Sequence, residues 1–271
     1  MPERIIVLTG STDGLGRALA GALARRPDTT LLLHGRDQGR LDGLAEELAG
    51  TPARVRTVRA DLSEMAQVRQ LADDIAGLTD RVTVLVNNAG VGAGEPDGTD
   101  RRLTADGYEL RFAVNHLAAF ALTGRLLPLL EAGAPARVVN VASIGQAPVD
   151  LDDPFLARGY TGTRAYGQSK LAMITTGFVL ARQLDPHRVT VNSLHPATYM
   201  PTKMVLRAVG HSIDSLQTGL DATLRLIEDP ALDGVTGRFF DRTEPARALP
   251  DAYDPQVQQR LFDLSVRLTE S

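Results

Sequence analysis

No cysteine occurs among the 271 residues. That absence excludes a disulfide frame, thiolate chemistry and a cysteine metal site, and it is compatible with a reducing compartment. Nor does any apolar run approach the ~20 residues that a membrane span needs. Hydrophobic residues make up 43% of the chain, enough for a full core and too few for a membrane protein. An excess of basic charge is also missing. The formal net charge is −4, so there is no electrostatic footprint for nucleic acid or an anionic lipid surface. The histidines (His34, His116, His187, His195 and His211) are scattered without metal-ligand spacing, and no metal site is expected. The first strand is expected at about Arg4, which leaves no room for a signal peptide, so a soluble, cytoplasmic protein is expected. No linker, low-complexity tract or internal repeat is apparent, and the length suits one large α/β domain over residues 1–271.

What the chain does have is a regular alternation of two patterns. Short apolar runs suited to buried strands fall at residues 4–9, 30–34, 54–58, 82–86, 137–141, 188–194 and 237–240. Between them lie helical patterns at 15–26, 41–48, 64–75 with Ser63 as N-cap, 106–130, 163–184, 202–226 and 254–268. The last of these shows Val257, Leu261, Leu264 and Leu268 on one face. Strand and helix alternating through the whole chain predict a doubly wound parallel sheet of about seven strands with helices on both faces. Residues 197–230 are expected to form a small substrate lid.

The first strand runs directly into Gly10-Ser11-Thr12-Asp13-Gly14-Leu15-Gly16 and then a helix. Glycines there let a backbone approach a pyrophosphate, and the helix N-terminus supplies amide donors and dipole. Arg36 and Asp37 follow the second strand, where the adenosine ribose of a dinucleotide would lie. An Arg there accommodates a 2′-phosphate and an acid accepts from a 2′-OH. Arg36 comes first after the strand tip, which favours NADP over NAD. Asp61 can accept from an adenine amino group. Asn87-Asn88-Ala89-Gly90 and Ser143 stand at the C-terminal ends of the fourth and fifth strands, where open α/β sheets bind ligands. Tyr166 and Lys170 are four apart on one helix face. A fixed cation lowers the tyrosine pKa from ~10, and moving it about three units needs roughly 4 kcal/mol of differential interaction.

Taken in order, Thr9-Gly10-x-x-x-Gly14-x-Gly16, Asp61-Leu62, Asn87-Asn88-Ala89-Gly90, Asn115, Ser143, Tyr166-x-x-x-Lys170 and Pro196 resemble the short-chain dehydrogenase/reductase family over nearly the whole chain. The insert from Asp150 to Tyr160 and the ending Arg260-Leu261-Phe262-Asp263-Leu264-Ser265 resemble its retinol-dehydrogenase-like branch. The resemblance implies a Rossmann fold and a carbonyl/alcohol oxidoreductase. It implies that Tyr166 exchanges a proton with the substrate oxygen and that Ser143 orients that oxygen. Lys170 would lower the Tyr166 pKa and bind the nicotinamide ribose, and Asn115 would hold a water linking Lys170 to solvent. Cofactor contacts are implied for Gly10, Ser11, Thr12, Gly14, Leu15, Gly16, Arg36, Asp61, Leu62, Asn88, Ala89, Gly90, Tyr166, Lys170, Pro196, Thr198 and Thr202. Two departures stand out. Ala197 replaces the family's Gly after Pro196, so Thr198 competes with Thr202, after Pro201, for the nicotinamide amide. Asp13 precedes Gly14, so Arg36 must carry most of any 2′-phosphate recognition.

Phe155, Tyr160, Tyr199, Met200 and Met204 are expected on the substrate side and point to an apolar ketone, aldehyde or secondary alcohol. The alternatives are a non-catalytic NADP-binding sensor or scaffold, and an epimerase or dehydratase that uses the hydride transiently. Relatives often pair through the two long helices that would hold Asn115 and Tyr166, so a homodimer or homotetramer is expected.

Overall fold

A computed structural model describes residues 3–94, 99–202, 205–207 and 210–270. Met204, expected on the substrate side, lies outside the described residues, as do parts of the expected 202–226 helical segment.

Ile5, Ile6, Val7 and Leu8 set the layering. Ile5 and Val7 pack into one core cluster, Ile6 and Leu8 into another, and all four are buried. Successive strand residues point to opposite faces, so a strand apolar at every position belongs in a sheet covered on both sides. Each such side chain contributes about 1.5–3 kcal/mol through burial. The strands are β1 Arg4–Leu8, β2 Thr29–Gly35, β3 Arg54–Arg59, β4 Val84–Asn87, β5 Ala136–Val141, β6 Val189–His195, β7 Phe239–Asp241 and β8 Glu244–Ala246. They form one sheet in the order β3-β2-β1-β4-β5-β6-β7-β8, parallel except for β8, which pairs antiparallel with β7. That is one strand more than expected. The order reverses between β1 and β4, and this switch point opens a crevice at the carboxyl ends of the strands.

The helices are α1 Gly14–Ala24, α2 Gln38–Glu47, α3 Met65–Leu78, α4 Leu110–Ala132, α5 Gly162–Gln183, α6 Leu216–Glu228 and α7 Pro255–Glu270. Leu15, Leu19 and Leu23 of α1, Leu44 of α2 and Ala222, Leu226 and Ile227 of α6 cover one face of the sheet. Val68, Leu71 and Ile75 of α3, with Phe112, Leu122 and Leu126 of α4, Ala172 of α5 and Leu261 of α7, cover the other.

Helix starts differ from the sequence reading for local reasons. Asp37 caps α2, its carboxylate accepting from the Arg40 amide at 3.0 Å, so α2 begins before Leu41. The helix expected from residue 106 starts at Leu110, capped by Glu109, which accepts from the Phe112 amide at 2.8 Å. Asp106 instead accepts from the Met65 amide at 2.8 Å and so serves the N-terminus of α3. Ser63 is not that cap; its amide donates to Asp61. By length and composition, α4 reaches what a membrane span needs, contrary to the sequence reading, yet 56% of its apolar window is buried inside the protein. α7 also departs from expectation. Its inward positions are Gln258, Leu261, Ser265 and Thr269, with Ser265 against His116 and Phe262 on Phe120 of α4, and Gln258 on Arg182 of α5.

Candidate active site

The glycine turn after β1 is built by close approach. Gly10 and Gly14 take positive φ, +65° and +49°. A Cβ on Gly10 would stand 2.8 Å from Ala89 Cα, and one on Gly16 would stand 2.0 Å from Gly10 O. These contacts bring the β1 turn against the segment after β4. Asn88 ties the two together, donating to the carbonyls of Thr9 and Gly10 at 2.9 and 3.1 Å. The Thr9 hydroxyl oxygen accepts from the Asn88 and Ala89 amides at 3.0 and 3.1 Å.

His34 braces the turn from β2. It is 3% exposed, accepts from the Gly10 amide at Nδ1 (3.3 Å) and donates from Nε2 to Ala60 O (3.0 Å). Ala60 O can only accept, so the ring is neutral with its proton on Nε2. Burial pushes the His34 pKa down to about 4. Ser11 is fully buried, and its amide and hydroxyl both donate to His34 O. Its side chain therefore holds the turn rather than facing the crevice. Leu15 packs into the core beneath the turn, and Leu62 into the core on the opposite face. Thr12 lies beside Gly35, Arg36 is exposed after the β2 tip, and Asp13 caps α1 through the Gly14 amide and pairs with Arg40 at 3.6 Å. Asp61 accepts from the Ser63 amide at 2.9 Å and so shapes the turn after β3.

The expected catalytic residues converge beyond β4 and β5. Tyr166 and Lys170 project from α5, and the Lys170 ammonium donates to Val141 O at 2.8 Å and lies 5.8 Å from the Tyr166 ring centroid. Lys170 is 4% exposed, and burial pushes its pKa down to about 8. Tyr166 is half-buried, and burial pushes its pKa up, opposed by a hydrogen bond with Ser143. Tyr199 adds to the rise, and the net direction is opposite to the lowering expected from Lys170. The Ser143 hydroxyl oxygen also accepts from the Gly145 amide at 3.0 Å. Asn115 sits in a π-helical stretch of α4, Ala113–Leu117, a widened turn of the kind found at functional sites. Its carboxamide pairs with Val91, accepting from N at 2.7 Å and donating to O at 3.1 Å, and donates to the Ser169 hydroxyl at 2.9 Å. A Cβ on Gly90 would stand 3.3 Å from Asn115 Oδ1 and 3.4 Å from Lys170 Nζ.

The sequence reading missed Ser169, which is fully buried and donates to Tyr166 O at 2.7 Å while accepting from Asn115. Its place three residues after Tyr166 was the available signal. Also missed was Arg111, fully buried with Glu109. Arg111 donates to Gly92 O at 2.7 Å and to the Tyr160 hydroxyl at 2.6 Å, and pairs with Glu109 at 3.5 Å. Tyr160 is pushed up to about 12 by burial and by Glu109.

Pro196 is buried after β6. Thr198 and Thr202 diverge. The Thr198 hydroxyl meets His195 Nε2 at 3.0 Å and Arg242 Nη2 at 3.2 Å. The Thr202 methyl lies 3.0 Å from the Cβ position of Gly14, over the glycine turn. Of the residues expected to face substrate, Phe155 stacks on Tyr108 in the core, Tyr160 is held by Arg111, and Met200 packs against Gly219 of α6. Tyr199 is 45% exposed and lies near enough to Tyr166 to influence its ionisation.

The short chain dehydrogenase family model matches residues 4–209, and the chain belongs to that family of oxidoreductase enzymes. Human retinol dehydrogenase 13 is 33% identical over 288 aligned residues, covering 99% of this chain and 85% of its own. Mouse polyprenol dehydrogenase is likewise 33% identical, covering 99% and 84%. The likeness extends to the retinol-dehydrogenase-like branch. Among solved structures, the Pseudomonas aeruginosa RhlG/NADP active-site complex superposes with a TM-score of 0.69 at 27% identity, covering 89% of this chain and 95% of that one. A Shigella flexneri short chain dehydrogenase complexed with NADP gives 0.66 at 27% identity, covering 89% and 98%.

Proposed function

We propose that the chain is an NADP-dependent carbonyl reductase and alcohol dehydrogenase for an apolar ketone, aldehyde or secondary alcohol. The observation that carries this reading is the convergence of Ser143, Tyr166, Lys170 and Asn115 beside a glycine turn at the sheet's switch point. The cradle suits a dinucleotide. Gly10, Gly14 and Gly16 leave the turn without side chains, and Gly90 keeps clear the space beside Lys170 Nζ. When bound, the nicotinamide supplies or accepts the hydride.

The protein's own part is positioning and proton transfer. Tyr166, held protonated by burial at neutral pH, gives its phenolic proton to the substrate oxygen. Ser143 hydrogen-bonds the same oxygen and fixes its direction. Lys170 keeps a cation beside the ring as negative charge develops on the phenol oxygen. The Asn115 carboxamide has both donors engaged, so any water it holds is met by the remaining Oδ1 lone pair or by the main chain of the π-helical stretch.

Arg36 carries the preference for NADP. Its rival Asp37 is also exposed but has one carboxylate oxygen engaged in the α2 cap, while Arg36 stands first after the β2 tip. Both superposed structures are NADP complexes. An apolar substrate suits Ile144 beside Ser143 and Tyr199 beside Tyr166, which are 56% and 45% exposed. The names of the relatives, retinol and polyprenol dehydrogenase, are those of enzymes for apolar alcohols. The test is coenzyme preference. Wild type should use NADPH over NADH, and Arg36→Ala should lose about tenfold or more in kcat/KM for NADPH while keeping its value for NADH. An unchanged ratio would sink the assignment of Arg36. A homodimer or homotetramer is proposed as well; since α7 lies across α4 and α5, its contact surface includes α7. A monomeric mass in scattering would remove it.

A further inference from the structure

The chain that leaves β6 is fastened at Thr198 to an arginine far away in sequence. Arg242 lies between β7 and β8 with φ +55°, a backbone conformation uncommon for a residue with a side chain. Its amide donates to His195 O at 2.7 Å. Its guanidinium donates from Nε and Nη2 to Asp214 Oδ2 at 3.1 and 2.6 Å, from Nη2 to the Thr198 hydroxyl at 3.2 Å, and from Nη1 to Asp241 at 3.0 Å. The same Asp214 oxygen accepts from the Thr198 amide at 2.7 Å, and the Asp214 amide donates to Thr198 O at 2.9 Å. Thr198 thus has its amide, carbonyl and hydroxyl all engaged by residues 16 and 44 positions away.

From Thr198 the chain bends toward the glycine turn. Tyr199 takes φ +46°, the second left-handed backbone at this corner. Such strain persists only where the surroundings impose it, and it gathers at functional sites. Met200 is wedged on Gly219 of α6, and Thr202 arrives over Gly14. The Arg242 amide belongs to the β6–β7 ladder, but the contacts of its guanidinium with Asp214 and Thr198 lie outside the sheet pairing.

We propose that Arg242, acting with Asp214, is a positioning residue for cofactor binding: it fixes Thr198 so that Thr202 lies over the glycine turn where the dinucleotide sits. This rests on the NADP reading of the site. The fork of the guanidinium spans Asp214 and Thr198 at once, which a lysine ammonium cannot reproduce in full.

The experiment is an NADPH titration, monitored by nicotinamide fluorescence, of wild type, Arg242→Ala, Asp214→Ala, the double variant and Arg242→Lys, each with its urea midpoint. Both alanine variants should weaken NADPH binding about tenfold, equivalent to about 1.4 kcal/mol. The double variant should be no weaker than either single, because both break one unit. Arg242→Lys should recover part of the loss. In turnover, KM for NADPH should rise with kcat within about twofold, the mark of lost ground-state binding. Unchanged NADPH affinity in Arg242→Ala, or additive losses in the double variant, overturns the proposal. Should Arg242→Ala fail to fold, Arg242→Lys reads the same quantity, and wild-type affinity there overturns it equally. Wild type that binds no NADPH at all sinks the cofactor reading itself, an outcome distinct from intact wild-type binding with indifferent variants.

Discussion

Acidification should weaken this protein through His34 in a way that a non-titrating replacement removes. The imidazole is locked neutral between an amide donor at Nδ1 and a carbonyl acceptor at Nε2. Its native pKa is about 4, against about 6.5 in the unfolded chain. Above pH ~6.5 both states hold the ring neutral, and its full contribution is present. As pH falls from about 6.5 to about 4, the unfolded chain takes up a proton that the native state refuses. Stability then drops by about 1.4 kcal/mol per pH unit, about 3 kcal/mol in all. That is a large share of the ~5–15 kcal/mol typical of a folded protein. His116, pushed down to about 3 by burial, adds a similar slope, but it is common to wild type and a His34 variant and cancels in their difference. The assay is urea unfolding of wild type and His34→Gln at about pH 7.5, 6.5, 5.5 and 4.5. Wild type should be the more stable at neutral pH, and the gap should close by about 3 kcal/mol toward pH ~4.5. Two stability curves that stay parallel across the window would refute the locked tautomer.

Two further variants probe the close packing around the site. Gly16→Ala gains about 1 kcal/mol of helix propensity but sets a methyl 2.0 Å from Gly10 O. It should lower the melting temperature and abolish NADPH binding, and a rise in melting temperature would contradict the close approach. Arg111→Met strands the Glu109 carboxylate in the core and should cost about 3–5 kcal/mol in urea unfolding. Adding Glu109→Gln should recover part of that cost, since the uncompensated charge is what destabilises.

The fold was legible because its strands are apolar at consecutive positions and its glycines fall between strand and helix. Ile5 to Leu8 leave no polar face, which only a doubly covered sheet accepts. The eighth strand was not legible. Glu244-Pro245-Ala246 has neither alternation nor β-branching, and its proline is tolerated because it sits at the sheet's edge. The starts of α2 and α4 were set by the local caps Asp37 and Glu109, whereas the α3 N-terminus is served from afar. Asp106 serves α3 across 41 residues, and nothing local marks that pairing. Tyr166, Lys170 and Ser143 stood out because local spacing or position at a strand end carries their geometry, whereas Asn115 was singled out only by the family resemblance. The environment that tunes them did not. That Lys170 turns to Val141 O, that burial raises Tyr166, and that Phe155 and Met200 face the core are tertiary facts, set by how α5, the insert and α6 pack.

The most direct measurement is NADPH consumption over a panel of apolar ketones and aldehydes, with wild type beside Tyr166→Phe. A proton donor of this kind contributes about 10²–10⁴-fold, so the variant should lose turnover by that factor while binding NADPH as wild type does. Turnover that survives in Tyr166→Phe at near wild-type rate would contradict the assignment of Tyr166 as the proton donor.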